Sequence, residues 1–252
     1  MEPAGSNGHV QKTRSHYDRF LARHYAWMAG GFDPALQKNR DFFAAHAVSS
    51  HNQDTAIDLG AGCGFQSVPL AEAGFRVVAV DSCQPLLDEL GHHAGTLPLT
   101  PVDADILDFP AWAGHNPSII ACMGDTLTHL PGMEEVRNLI SQCFSELMTG
   151  GKLILTFRNY SQEPDDPVAI IPVRADADRI FLCRLEYRHD FLLVTDILYS
   201  RDSGKWERTP GDYCKIRIDP AMLSQIIVEE GFSLEFFEVA TGLVTITARK
   251  PG

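Results

Sequence analysis

Apolar and polar residues change period along this chain in a way that divides it into three stretches. Short apolar runs appear at Thr55–Leu59, Arg76–Val80, Leu97–Val102, Ser118–Cys122 and Lys152–Phe157. Between them lie amphipathic stretches with helical spacing: Phe65–Ala73, Pro85–Gly91 and Met133–Met148, the last stopped by Gly150-Gly151. Strands alternating with helices at this pitch predict a parallel sheet with right-handed crossovers. Before this stretch, Tyr17–Ala29 predicts a short amphipathic helix ending at Gly30-Gly31. A second helix runs to about Val48, with Asp33 as its cap and Pro34 in its first position. After Phe157 the helical period disappears. Arg179–Tyr187, Phe191–Tyr199 and Tyr213–Ile218 read as successive strands, with Ser203-Gly204 as a hairpin turn. This is an antiparallel insertion, most simply a cap over the mouth of the sheet. Asp219-Pro220 opens one more helix, closed by Gly231, and Ser233–Val239 and Leu243–Arg249 finish as strands. The expected fold is α/β: a doubly wound, seven-stranded, mostly parallel sheet with an antiparallel β insertion after strand five. Its parts are a helical lead or lid (1–50), an α/β core (51–160), the insertion (161–218) and a C-terminal helix with the last two core strands (219–252).

Composition narrows the function classes. The 252 residues carry 21 Lys and Arg against 33 Asp and Glu, a formal charge of −12. Nucleic acid and anionic membrane surfaces, which want a clustered positive field, are poor partners for such a chain. No apolar run is long enough to span a bilayer. Met1–Arg14 lacks the apolar segment of a secretory signal and reads as a mobile lead. The six cysteines fall in no Cys-x-x-Cys pair, and no Cys/His cluster has metal spacing. They read as reduced thiols of a cytoplasmic protein without a metal site, with Cys122 and Cys143 in the core. A homodimer is compatible with the sequence but not required by it.

The strongest chemical signal is Ile57-Asp58-Leu-Gly60-Ala-Gly62-Cys-Gly64. Glycines between a strand end and a helix start let a ligand approach the backbone. A dinucleotide fingerprint would need a third glycine where Phe65 stands. Asp58 reads as an acceptor aimed at this loop, favouring an ammonium over a phosphate. Asp81, at the end of strand two, suits the two hydroxyls of a ribose. After strand three, the Asp105 carboxylate and Ile106 N–H suit an adenine edge, with Asp103 as the rival. Together these imply an adenosine with a cationic amino-acid tail, which is S-adenosylmethionine.

The set Asp58-x-Gly-x-Gly-x-Gly64, Asp81, Asp105-Ile106 and Gly150-Gly151-Lys152 resembles the class I S-adenosylmethionine-dependent methyltransferases over about residues 54 to 160. That resemblance implies cofactor contacts from Asp58, Gly60, Ala61, Gly62, Gly64, Asp81, Ser82, Asp105 and Ile106. Met123 and Gly124 join them at the carboxyl end of strand four. Cys122-Met-Gly-Asp-Thr-Leu-Thr-His-Leu-Pro131 and Arg158-Asn159-Tyr160 are similar to segments of glycine and sarcosine N-methyltransferases. There the arginine binds the acceptor's carboxylate, which suits a bidentate guanidinium. This chain departs from them in having Asp125 where that group has Asn, and Phe157 where a polar residue is usual. The resemblance implies methyl transfer to a small molecule, with an amine or amino-acid-like compound bearing an anionic group as the candidate, releasing S-adenosylhomocysteine. Arg158 is then the acceptor-binding residue, His129 a site residue, and Tyr25 a lid over the sulfonium. His129, Tyr25 and Asp125 are the candidate bases. Arg174 and Arg179 flank the insertion and are open to either an acceptor role or a solvated one. Tyr213 either faces the pocket or packs, and Trp27 reads as packing on the sheet edge. A non-catalytic cofactor-binding module and a methyltransferase acting on a protein share the same loop and remain alternatives.

Overall fold

In a computed structural model, residues 12–112, 114, 116–202 and 204–252 are described. The expected lead, Met1–Arg14, lies mostly outside them, as does Ser203. The central sheet has seven strands in the order β10-β11-β5-β4-β1-β2-β3. These are β1 (Thr55–Leu59), β2 (Arg76–Asp81), β3 (Leu99–Asp103), β4 (Ile119–Cys122), β5 (Lys152–Arg158), β10 (Ser233–Ala240) and β11 (Leu243–Arg249). The first five pair in parallel, while β11 runs antiparallel to β5 and β10 to β11. The chain reverses sheet order between β1 and β4, so the carboxyl ends of β1 and β4 flank the crevice where such sheets bind ligands.

Helices cover both faces. On one side α1 (Phe32–Ala45), α2 (Ser67–Glu72) and α3 (Gln84–Ala94) pack Phe43, Leu70 and Leu90 against Ala56, Val77 and Ala79. On the other, α4 (Met133–Glu146) and α5 (Pro220–Glu229) pack Leu139, Ile140, Leu223 and Ile227 against Ile57, Ile120 and Leu155. Buried on both faces, β1, β4 and β5 are near-continuous apolar runs, as parallel strands require. Asp219 caps α5 by accepting from the N–H groups of Ala221 and Met222. Asp33 does not cap α1: Gly31, at φ +113°, is the cap residue, and Asp33 lies in the first turn. The tight reversal from Gly30 (φ +99°) to Gly31 sets the start of the helix two residues earlier than the Asp-Pro pair indicates.

The insertion has four strands rather than three. They are β6 (Val168–Ala175), β7 (Arg179–Tyr187), β8 (Phe191–Asp202) and β9 (Lys205–Ile216), antiparallel in chain order. β6 was hidden by Pro172, which sits beside a register shift on this edge strand, where a missing N–H is tolerated. The polar first half of β9 lacks alternation, yet it pairs with β8 along its whole length. The hairpin turn carries Gly204 at φ +82°.

The N-terminal segment is helical but not one helix. A π-helical turn (Tyr17–Leu21), a 3₁₀ turn (Ala22–His24) and one α turn (Tyr25–Met28) follow residues 12–16. This segment packs on the second sheet, where Phe20 and Leu21 meet Phe181 and Leu198. Trp27 lies under the guanidinium groups of Arg179 (4.3 Å) and Arg174 (5.8 Å), not on the edge of the central sheet. Both arginines therefore serve this cation–π seam. Among the described residues no helix is long and apolar enough to cross a membrane. All six cysteines are free thiols, with Cys122 and Cys143 buried.

Candidate active site

A pocket of about 920 Å³, a figure that includes its open mouth, lies at the carboxyl ends of β1–β4. Its first wall is the loop after β1. Gly60 (φ +76°) and Gly62 (φ +54°) line it in conformations that disfavour a side chain. A Cβ on Gly60 would also come within 2.2 Å of the Thr126 hydroxyl. The amides of this loop are already engaged: Gly60 and Ala61 N–H donate to Val80 C=O (2.8 and 3.1 Å), and Gly62 N–H donates to Asp81 Oδ2 (2.8 Å). A loop whose N–H groups are spent inside the fold is not a phosphate cradle, and it fits a phosphate-free ligand.

Asp81 supplies the second wall. One carboxylate oxygen accepts from Gly62 and the other from Cys83 N–H (2.8 Å), so the side chain is fixed while each oxygen keeps a lone pair for a hydroxyl donor. Burial raises its carboxyl above the ordinary value. Asp105 faces the pocket with one oxygen committed to Leu107 N–H (2.9 Å). Its rival Asp103 is exposed and held by Arg14 at 3.0 Å, and it does not face the pocket. Ser82, Ile106 and Leu86 also line this side, the last two giving a flat ring apolar contact.

The other expected loop residues support the site from beneath. Asp58 is buried and accepts from the Ser67 hydroxyl (2.5 Å) instead of facing a ligand. Ala61, Gly64 and Met123 are buried outside the lining, and the Gly124 N–H donates to Thr156 Oγ1 (2.8 Å). The conclusion that Asp58 meets a cationic tail followed from its place in the sequence; its side chain points under the loop, where a buried polar group needs a partner.

Tyr17, Tyr25, Asp125, Thr126 and His129 close the remaining side. Tyr25 stacks on Phe65 (5.7 Å between centroids) and stands 3.6 Å from a Cβ position on Gly62. Tyr17 OH lies 3.3 Å from His129 Nε2, and the buried Nδ1 of that ring has no partner. Burial, with Lys215 adding to it, pushes His129 down to about 3, so its ring is neutral at physiological pH. Asp125 accepts from Arg158 N–H (3.1 Å), from Tyr160 OH (3.1 Å) and from the Lys215 ammonium. Burial would raise its carboxyl, but the Lys215 ammonium holds it below the ordinary value. Burial raises the phenols of Tyr17 and Tyr25.

Two groups here were invisible in the sequence. Lys215 is a buried lysine on β9, 5.7 Å from the ring centroids of both Tyr160 and Tyr213. His16 and Asp196 form a buried pair at 3.0 Å, with His16 against Tyr213 (4.9 Å). Tyr213 thus packs between His16 and His129 and does not line the pocket. Each pairing spans a long stretch of chain, and the one local signal is Asp196, an acid within the apolar run of β8. Arg158 differs from expectation as well. Its side chain is exposed and does not line the pocket, and only its backbone N–H reaches the site.

The fold is that of the class I S-adenosylmethionine-dependent methyltransferases, and residues 56–151 match a family model described as a methyltransferase domain. Glycine/sarcosine N-methyltransferase of Halorhodospira halochloris is 32% identical over 138 residues, 51% of this chain and 48% of that protein. The chain spans about half the length of the curated relatives it matches. Of solved structures, the CcbJ methyltransferase of Streptomyces caelestis superposes with a TM-score of 0.73 at 19% identity, covering 85% of this chain and 89% of that one. CalS10, an amino pentose methyltransferase of Micromonospora echinaspora solved with S-adenosylmethionine bound, superposes at 0.68 with 16% identity, covering 86% and 90%. At these identities the structural likeness shows the fold.

Proposed function

We propose that the protein methylates an amine nitrogen of a small molecule. When bound, S-adenosylmethionine supplies a methyl group already activated on a sulfonium. Gly60, Gly62, Asp81, Ser82, Asp105 and Ile106 would hold it. Asp81 is pre-set by the Gly62 and Cys83 N–H groups to accept from the ribose hydroxyls. The protein's own residues must then align an acceptor lone pair and exclude water, which can supply about 7–11 kcal/mol of a barrier.

The observation that carries the amine reading is the protonation chemistry of the closing side. A phenol, alcohol or thiol acceptor needs a base poised near neutral pH. His129 is too weak a base at about 3, Asp125 is an ion held by Lys215, and Tyr17 and Tyr25 stay protonated. An aliphatic amine must release its proton to bulk water before the site closes, and the neutral nitrogen is then its own nucleophile and needs no resident base. Asp125 would orient its N–H bonds, with the Tyr17–His129 pair beside it. The names of the glycine/sarcosine and amino pentose methyltransferases point the same way. The test is transfer of a labelled methyl group from S-adenosylmethionine into a cell metabolite extract. A labelled amine is expected, and it should disappear with Asp81→Ala. Labelling of protein only, or of none of the extract, would overturn the proposal.

A further inference from the structure

We infer that the acceptor amine bears no carboxylate beside its nitrogen, an inference that rests on the amine reading above. The charges that line the pocket are Asp81, Asp105 and Asp125 against the single cation Arg14. That guanidinium is committed to Asp103, at 3.0 and 3.3 Å, with Asp18 4.0 Å away. Its partner Asp103 is the last residue of β3. The buried ammonium near the closing side, Lys215, is joined to Asp125 and lies behind it. The Arg158 side chain is exposed outside the pocket. Among the described residues, therefore, no cation without an acid partner faces the place where an amino acid's carboxylate would sit.

A carboxylate carried in beside the reacting nitrogen would lose its hydration next to the ionised Asp125. Burying a charge that way without a partner is unfavourable, and so is a like charge a few ångströms off at the effective dielectric of a partly buried site. An ammonium meets the opposite environment. Asp125 can accept from it, and the rings of Tyr17 and Tyr25 attract a cation. The protonated amine suits this lining as it arrives, gives its proton to bulk water before it attacks, and leaves as the methylated ammonium, which suits the lining again. The acceptor class is then a simple amine, an amino sugar or a peptide N-terminus, rather than a free α-amino acid.

The decisive measurement is calorimetric binding to the full-length protein saturated with S-adenosylhomocysteine, using probe pairs that differ only in the carboxylate. Phenethylamine is compared with L-phenylalanine, and glycinamide with glycine. The carboxylate-free member of each pair is expected to bind at least tenfold more tightly. Equal or tighter binding of the amino acids would overturn the inference, as would the failure of every amine to bind while S-adenosylhomocysteine binds. Failure of S-adenosylhomocysteine itself to bind would overturn the reading beneath it instead. Asp125→Asn, which leaves the Lys215 charge without its partner, should shrink or reverse the preference. A folded variant with the preference unchanged would remove Asp125 from the argument, and with it the inference.

Discussion

Asp58 is the residue on which the linear motif and the folded chain disagree most, and the disagreement can be measured. It is 1% exposed, and Ser67 donates to it at 2.5 Å. Burial lifts its carboxyl from 3.8 to about 7, Ser67 opposing and Asp81 adding to the rise. Because the folded value lies above the unfolded one, the stabilising contribution of the protonated acid is fully present below about pH 4. It is lost as pH rises through about 7. Above that, the buried carboxylate lowers stability by up to about 4 kcal/mol relative to the acid limit. Asn has nearly the same shape, stays neutral and can accept from Ser67. Asp58→Asn should therefore melt close to wild type at pH 4.5 and progressively above it towards pH 8.5. At about 2–4 °C per kcal/mol for a chain of this size, the full effect is on the order of 10 °C. The assay is thermal unfolding of both proteins across that pH range without added cofactor. The difference between the two curves isolates this one group from every other titration. A difference that does not grow with pH, or a variant less stable at pH 8.5, would refute the placement. Affinity for S-adenosylmethionine separates the two readings again: an Asp58 that held the ligand's ammonium would make Asn costly, whereas one buried under the loop would leave binding within a few-fold.

Two further substitutions probe the second sheet. A Cβ on Gly211 would lie 2.2 Å from the His16 ring, so Gly211→Ala should displace the N-terminal segment and speed release of S-adenosylhomocysteine, read by stopped flow; an unchanged rate would mean the segment does not close the pocket. Lys215→Met strands the buried Asp125 charge and should destabilise the protein by about 3–5 kcal/mol, measured by denaturant unfolding at pH 8. Because the lowered Asp125 carboxyl depends on Lys215, the loss should lessen as pH falls and the acid becomes neutral.

The central sheet was legible because β1, β4 and β5 are buried on both faces and each helix on one, so period alone separates them. The cofactor side was legible for a local reason: Gly60, Gly62 and Asp81 are set by strand ends, and a strand end is a sequence feature. Asp105 and Asp103 could not be separated from the sequence, because the choice is made by Arg14, 89 residues from Asp103. The closing side was illegible for the same reason on a larger scale. Lys215 meets Asp125 across 90 residues and His16 meets Asp196 across 180. Nothing local to Lys215 distinguishes it from a solvated lysine on a strand.

The same long-range pairs explain why the insertion is part of the site rather than an ornament on the core. The core alone presents Asp125 at the end of β4 as a carboxylate with two neutral donors. β9 brings Lys215 against it, which keeps Asp125 ionised while helping to keep His129 neutral. One ammonium thus sets the charge of two pocket residues without itself facing the pocket. β8 brings Asp196 against His16, and β7 brings Phe181 and Arg179 against Phe20 and Trp27. These contacts hold Tyr17 and Tyr25 over the glycine loop. A buried ion pair is a poor source of net stability, because desolvation offsets most of its attraction, but losing one partner is strongly destabilising. Lys215–Asp125 therefore acts mainly as a register, and the buried His16–Asp196 hydrogen bond does the same for the N-terminal segment: each makes one arrangement of segment, sheet and core far better than its neighbours.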